Sequence, residues 1–245
     1  MFLDKKNKEM AKKQQIAVPQ IEEVHEIWDL LTDEQKVYLK QSAKLQHFSK
    51  NDLIHREGEI PTHMMLLVRG KVKIYKTGVG GRTQIMRMLK PNAYFGYRAI
   101  FATNSYHGYN TNARAFEDSS VYMIPAEAAS KLLHSNANFA YDFIKRLADE
   151  LGSSDARIVT LTQKHIRGRL AEALLFLKDN YGLKEDGKTI DILLARDDIA
   201  SLSNMTTSNA IRTLSTFAEE GIIEVQGRVI KILDEEKLKK IDKLG

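Results

Sequence analysis

Ala140, Ile144, Leu147, Leu151, Ser154, Ile158 and Leu161 follow one another at alternating steps of four and three, the a/d spacing of a coiled-coil seam sustained over about three heptads. A helix of roughly 25 residues, at ~1.5 Å each, overruns a small domain. The stretch therefore predicts a long helix, part of whose seam meets a second chain. Ser154 is its one polar member, and a polar residue at such a position fixes register or receives a ligand.

The chain on either side follows different periods. From about Leu45 to Ile124 the apolar residues alternate: "GKVKIYKT" sets Val72 and Ile74 against Lys71 and Lys73, "RTQIMRMLK" follows, and "SSVYMIP" closes the region. The glycines Gly78, Gly80 and Gly81 between the first two segments have no helix after them, so they read as a β-hairpin turn rather than a phosphate cradle. This region is expected to be an antiparallel β-barrel or roll. After "QKHIRGR" comes a second helical stretch, "LAEALLFLKDNYG", with Leu170, Leu174 and Leu177 inward and Gly182 where the helix stops.

The segment Asp197 to Val225 reads as two helices joined by a short turn. Ile199 and Leu202 face inward on the first; Thr206 is a good N-cap for a second from Thr207 to about Glu219, which buries Ala210, Leu214 and Phe217. Thr207, Ser208, Ile211, Arg212 and Ser215 remain on or beside its opposite face, free of acids, with Glu219 and Glu220 at the far end. Such a face suits a DNA major groove, the positive helix N-terminus lying toward phosphate. A two-stranded ribbon, "GIIEVQGRVIKIL", bends at Gly227 and carries the basic residues Arg228 and Lys231.

Composition narrows the alternatives. With no Cys in 245 residues, disulfides, thiolate metal sites, cysteine nucleophiles and cysteine-held clusters are excluded together. The seven His show no metal-ligand spacing, and no P-loop, G-x-S-x-G or paired-carboxylate arrangement is present, so neither an enzyme nor a metal or other cofactor is expected. No run approaches the roughly 18 apolar residues of a membrane span, and the lysines at the start lack an apolar stretch behind them, so the protein is expected in the cytoplasm, away from membranes. The net charge of +5 suits a polyanion, yet from Lys164 onward the 14 basic residues balance 14 acidic ones, so bulk charge argues little.

Taken together, "EGEIPTHMMLLVRGKVKIY", "KPNAYFG" and "DDIASLSNMTTSNAIRTLSTFAEEGIIEV…GRVIKILD", in the order roll, long helix, two-helix element and ribbon, resemble the cyclic-AMP receptor/fumarate-nitrate regulator (Crp/Fnr) family of bacterial transcription factors from about residue 25 onward. The resemblance implies an α+β fold. From its Lys/Gln-rich composition the stretch 1–20 is expected to be a mobile basic tail, and the resemblance implies that 21–135 form a cyclic-nucleotide-binding-like antiparallel β-roll with flanking helices, 136–163 a dimerisation helix, and 164–245 a winged helix-turn-helix. It implies a homodimer on a palindromic double-stranded DNA operator, with RNA polymerase as a candidate further partner. The DNA-binding residues would be Thr206, Thr207, Ser208, Ile211, Arg212, Ser215, Arg228 and Lys231. Many members carry Arg and Glu where this chain has Thr207 and Ser208, so its half-site is expected to differ from the usual one.

Nucleotide-binding members place a Glu directly after "FG" for the ribose diol and an Arg-Ser or Arg-Thr pair some ten residues on for the phosphate. Here Tyr97 replaces the Glu, and His107-Gly108 or nearby residues replace the pair. On the long helix Ser154 and Asp155 stand where those members carry Thr-Ser for the adenine. Losing the charged partners costs ~1.5 to 3 kcal/mol for each hydrogen bond, so cyclic AMP and cyclic GMP are not expected to bind. Tyr97, Arg98, His107, Ser154 and Asp155 remain as a candidate pocket for another small-molecule effector, beside Tyr94, Tyr106 and Tyr109; filling of the roll by these aromatics is the simpler reading. The alternative to a DNA-binding regulator is an effector-binding or protein-interaction module whose winged helix has lost DNA. Activation against repression, the target genes and the effector are not encoded in any motif.

Overall fold

A computed structural model describes residues 18–102 and 108–245; the expected tail as far as residue 17, and the candidate pocket residues Tyr106 and His107, lie outside the described residues. The chain forms two compact units, residues 1–72 with 89–141 and residues 73–88 with 142–245.

The first unit opens with a 3₁₀ turn, Ile21–Glu23, then α1 (His25–Trp28) and α2 (Asp33–Ser42). Thr32 caps α2 in a reciprocal box, its hydroxyl accepting from the Gln35 N–H while the Gln35 side chain accepts from the Thr32 N–H. Strands β1 (Lys44–Phe48), β2 (Leu53–His55) and β3 (His63–Arg69) follow. β4 (Val72–Thr77) and β5 (Thr83–Leu89) form a ribbon, most of which belongs to the second unit. Then come β6 (Tyr94–Phe95), α3 (Tyr97–Phe101), β7 (Asn112–Ala115), β8 (Ser119–Pro125) and α4 (Ala126–Ser135).

One sheet has the order β1-β8-β3-β6, all antiparallel, and β2 pairs with β7. β3 is central, with Leu66 opposite Tyr122 on one side and Tyr94 on the other. Its residues Met64 to Val68 are buried on both faces, which is why its text is an unbroken apolar run while that of β4 alternates. The expected hairpin between β4 and β5 is present: the Gly78 N–H donates to the Arg82 carbonyl at 2.9 Å, and Gly80 takes φ 82°.

The second unit contains most of α5 (Ala137–Gln163), then α6 (Ile166–Tyr181), α7 (Arg196–Leu202), α8 (Thr207–Glu219), β9 (Ile223–Gln226), β10 (Val229–Ile232) and α9 (Glu235–Leu244). At 27 residues α5 matches the length its heptads predict. The Asn136 side chain caps it by accepting from the Phe139 N–H at 2.9 Å, while its amide donates to the Leu30 carbonyl at 2.8 Å. α6 begins at Ile166, earlier than "LAEALLFLKDNYG" suggested, and ends at Gly182 with φ 77°. The C-terminal helix α9 was not anticipated; Asp234 caps it, and it packs on α6 through the fully buried Leu238. The core here is Leu170, Leu174, Leu177, Ile199, Ala210, Phe217 and Ile222. No helix among the described residues is long and apolar enough to cross a membrane.

Candidate nucleic-acid interface

The two-helix element is built by local chemistry. In α7 the acids Asp197 and Asp198 sit in the first turn, where the helix dipole favours negative charge. At its other end the Ser203 hydroxyl donates to the Ile199 carbonyl at 2.6 Å, Asn204 turns the chain with φ 50°, and the Met205 N–H closes the turn on the Ala200 carbonyl at 3.0 Å. Thr206 is then extended, and its hydroxyl accepts from the Asn209 N–H at 3.2 Å, starting α8 as its residue type predicts.

α8 turns Ala210, Thr213, Leu214 and Phe217 into the core. Thr213 is the polar exception, its hydroxyl satisfied by the Asn209 carbonyl at 2.8 Å. Ser208, Ile211, Arg212 and Ser215 are exposed and Thr207 is half-buried, so the face expected from spacing alone is the one solvent meets. Among the described residues Arg212 has no acidic partner, leaving its five donors available. Thr207 is engaged: its hydroxyl donates to Asp197 Oδ1 at 2.7 Å.

Of the two acids at the far end, Glu220 is occupied. Glu220 accepts a two-pronged bond from Arg167 at 2.7 and 2.9 Å, and the Arg167 guanidinium lies 5.0 Å from the centre of the Phe217 ring. That bond holds the Glu220 carboxyl below, and the Arg167 guanidinium above, its ordinary range.

The ribbon pairs Val229 with Gln226 and Lys231 with Glu224, and Gly227 supplies φ 57° at the bend. Arg196, at the start of α7, donates to the Gly227 carbonyl at 2.6 Å and pins the tip to the two-helix element. Arg228 is exposed at that tip. Lys231 differs from the other expected contacts: it is half-buried, with its ammonium 3.3 Å from Glu224 across the ribbon. Seven of the eight expected residues are thus on the α8 face or the wing tip, and the eighth is bound into the ribbon.

Three contacts found by no local signal hold this element. Lys73 of β4 meets Asp198 at 2.5 Å, Arg82 donates to the Asn204 side-chain oxygen at 3.1 Å, and Arg157 of α5 donates to the Leu202 carbonyl at the end of α7 and to the Ile85 carbonyl at 3.4 Å. Burial pulls the Arg157 guanidinium below its ordinary value. The partners stand tens of residues apart in sequence, so no periodicity announces them.

Along α5, Ile144, Leu147, Leu151 and Ile158 are 60%, 41%, 64% and 60% exposed, Ser154 is exposed, and Ala140 and Leu161 are half-buried. The neighbouring Tyr141 and Val159 widen this apolar stripe. Of the candidate effector residues, Tyr97 begins α3 after Gly96, whose φ of 81° turns the chain, and is 2% exposed. Nearby in the first unit, His55 stacks on Tyr109 with ring centres 3.9 Å apart, and burial first, then Glu59, pushes the Tyr109 phenol up to about 12. Arg98 is exposed on α3. In the second unit Asp155 and Ser154 are exposed on α5, the Ser154 hydroxyl donating to the Glu150 carbonyl at 2.8 Å. Among the described residues no group of three His, Asp or Glu side chains is placed to hold a metal.

Comparison with known proteins gives two domain matches: a cyclic nucleotide-binding domain over residues 45–136 and a Crp-like helix-turn-helix domain over residues 168–241. The chain is 23% identical over 192 residues to the CRP-like cAMP-activated global transcriptional regulator of Mycobacterium tuberculosis, covering 78% of this chain and 84% of that protein. FixK2 of Bradyrhizobium japonicum shares the fold at TM-score 0.71 and 24% identity, over 82% of this chain and 97% of that one. A transcriptional regulator of the crp/fnr family from Eubacterium rectale does so at 0.73 and 20%, over 89% and 97%.

Proposed function

The chain belongs to the Crp/Fnr family of transcription regulators, and we propose that it acts as a homodimer that reads a palindromic operator without cyclic AMP. The observation that carries the DNA reading is the acid-free exposed face of α8 beside Arg228, on an element braced by Arg167, Arg196 and Arg157. Ser208, Ile211, Arg212 and Ser215 lie against base edges in this reading, Thr206 meets phosphate through the capped helix start, and Arg228 meets the neighbouring backbone. The exposed stripe from Ala140 to Leu161 on α5 supports the dimer, because an apolar strip of this length is expensive to leave in water. The organisation into roll, dimerisation helix and winged helix-turn-helix follows the same reading, with RNA polymerase the partner of the bound dimer.

Tyr97 supports independence from cyclic nucleotide. A buried phenol stands where the resemblance calls for a carboxylate to accept the ribose diol, and no rotamer change turns a phenol into that acceptor pair. Calorimetry with cyclic AMP and cyclic GMP is expected to show no micromolar binding.

Selection of bound fragments from a random duplex pool by the purified full-length protein, at near-physiological salt and with no ligand added, tests the central claim. A two-fold symmetric site with half-sites about one helical turn apart is the expected product. A pool that stays random favours the second reading, a winged helix that no longer binds DNA, for which the internal engagement of Lys231 is the supporting observation.

A further inference from the structure

Asp197 is exposed, stands at the start of α7, and takes part in no ion pair among the described residues. Its neighbour Asp198 is the one that Lys73 neutralises. An unpaired acid beside a face meant for a polyanion lowers general affinity, so its presence there asks for a reason. The structure supplies one: Asp197 Oδ1 lies 2.7 Å from the Thr207 hydroxyl. A carboxylate can only accept, so in this bond the hydroxyl is the donor, and a Thr hydroxyl has a single proton.

We infer that Asp197 is a specificity-determining residue that commits the Thr207 proton and leaves this hydroxyl able only to accept from DNA. The inference rests on the DNA reading above. In the major groove the groups that donate are the exocyclic amines, N6 of adenine and N4 of cytosine; guanine offers O6 and N7, and thymine O4, all acceptors. A free Thr hydroxyl rotates to suit either kind and reads nothing by itself. With its proton held by Asp197, Thr207 meets a repulsive lone pair at guanine or thymine and a favourable donor at adenine or cytosine. Rejection by mismatch of this sort discriminates more than attraction alone. Thr207, Ile211 and Ser215 lie one helical repeat apart on the exposed side of α8, so the base met by Thr207 is at one end of the half-site, nearest the helix start.

The test compares selected sites for the full-length wild type, Asp197→Ala and Thr207→Val. The wild type is expected to show one column per half-site confined to amine-bearing bases. In Asp197→Ala that column relaxes to admit guanine and thymine, while affinity for every duplex rises together because a negative charge has gone. In Thr207→Val the preference disappears from the same column only. Measured on the selected operator, replacing the preferred base by its analogue without the exocyclic amine weakens wild-type binding about 2- to 10-fold and leaves Thr207→Val unaffected. A merely structural role for Asp197 predicts instead a uniform loss with the column unchanged, and that result overturns the inference. So does a wild-type column that prefers guanine or thymine. If no site emerges with any of the three proteins, DNA reading itself has failed and this inference falls with it; a selected palindrome with an indifferent column refutes the inference alone.

Discussion

Replacing Leu151 by Asp should break the proposed dimer, and the size of the effect can be worked from the structure. Leu151 is 64% exposed on α5. Taking a Leu side chain fully out of water stabilises by about 1.5 to 3 kcal/mol, so covering the exposed portion contributes roughly 1 to 2 kcal/mol per protomer. A two-fold seam counts the residue twice, which gives about 2 to 4 kcal/mol lost. At ~1.4 kcal/mol per tenfold, the dimer dissociation constant rises roughly 30- to 700-fold. Two aspartates facing each other add repulsion to that figure. Because the leucine touches water in the single chain, the variant should keep its helical circular dichroism and its melting curve extrapolated to low concentration. Sedimentation equilibrium over a wide concentration range reads the constant directly. A folded variant that dimerises as tightly as the wild type would refute the reasoning, since the stripe would then not be the seam.

Other outcomes follow from the same geometry. Arg212→Ala should cost about 1 to 3 kcal/mol on the selected operator and relax one base position without moving the melting temperature, because Arg212 is exposed; equal losses on operator and random duplex would make it a phosphate contact. Thr206→Ala removes the cap of α8 and should destabilise its unit by about 1 kcal/mol, seen as a lower urea midpoint, whereas Thr206→Ser should restore it. Phe217→Ala, at a fully buried position, should cost about 3 to 5 kcal/mol and abolish cooperative unfolding of the second unit. Asp186 accepts from the Thr189 hydroxyl and N–H and the Lys188 N–H, which lowers its pKa to about 2. A carboxyl depressed in this way contributes stability that is present above its ordinary value near 3.8 and disappears as pH falls through about 2. Carbon-detected titration should find that low midpoint, and Thr189→Val should raise it; a midpoint unmoved by the substitution would remove Thr189 as the principal cause.

Much of this was legible because the signals are local. The alternation of "GKVKIYKT", the heptads of α5 and the Thr206 cap each depend on residues within one or two turns or strands of one another, and each element formed where its period placed it. The C-terminal helix had a local signal too: Asp234 before Glu235 and Glu236, with lysines later, is a cap followed by charges matched to the dipole. It was passed over because Leu238 is its only buried residue, too sparse an apolar pattern to show a period.

The proposed DNA face divides along the same line. Which side of α8 faces water is a matter of 3.6-residue spacing, and the chain alone determined it: inward Ala210, Leu214 and Phe217 leave Ser208, Ile211, Arg212 and Ser215 outside. What each polar group on that side has left to offer is a matter of neighbours brought close by the fold. Lys231 is spent on Glu224 across the ribbon, Thr207 donates its hydroxyl hydrogen bond to Asp197 across the turn, and Arg196 and Arg157 brace backbone carbonyls of Gly227 and Leu202. A hydrogen bond forms or fails within a few tenths of an ångström, a distance that spacing along a chain does not carry, so the sequence by itself decided which residues stand at the surface, and only the tertiary structure decided which donors and acceptors they still hold.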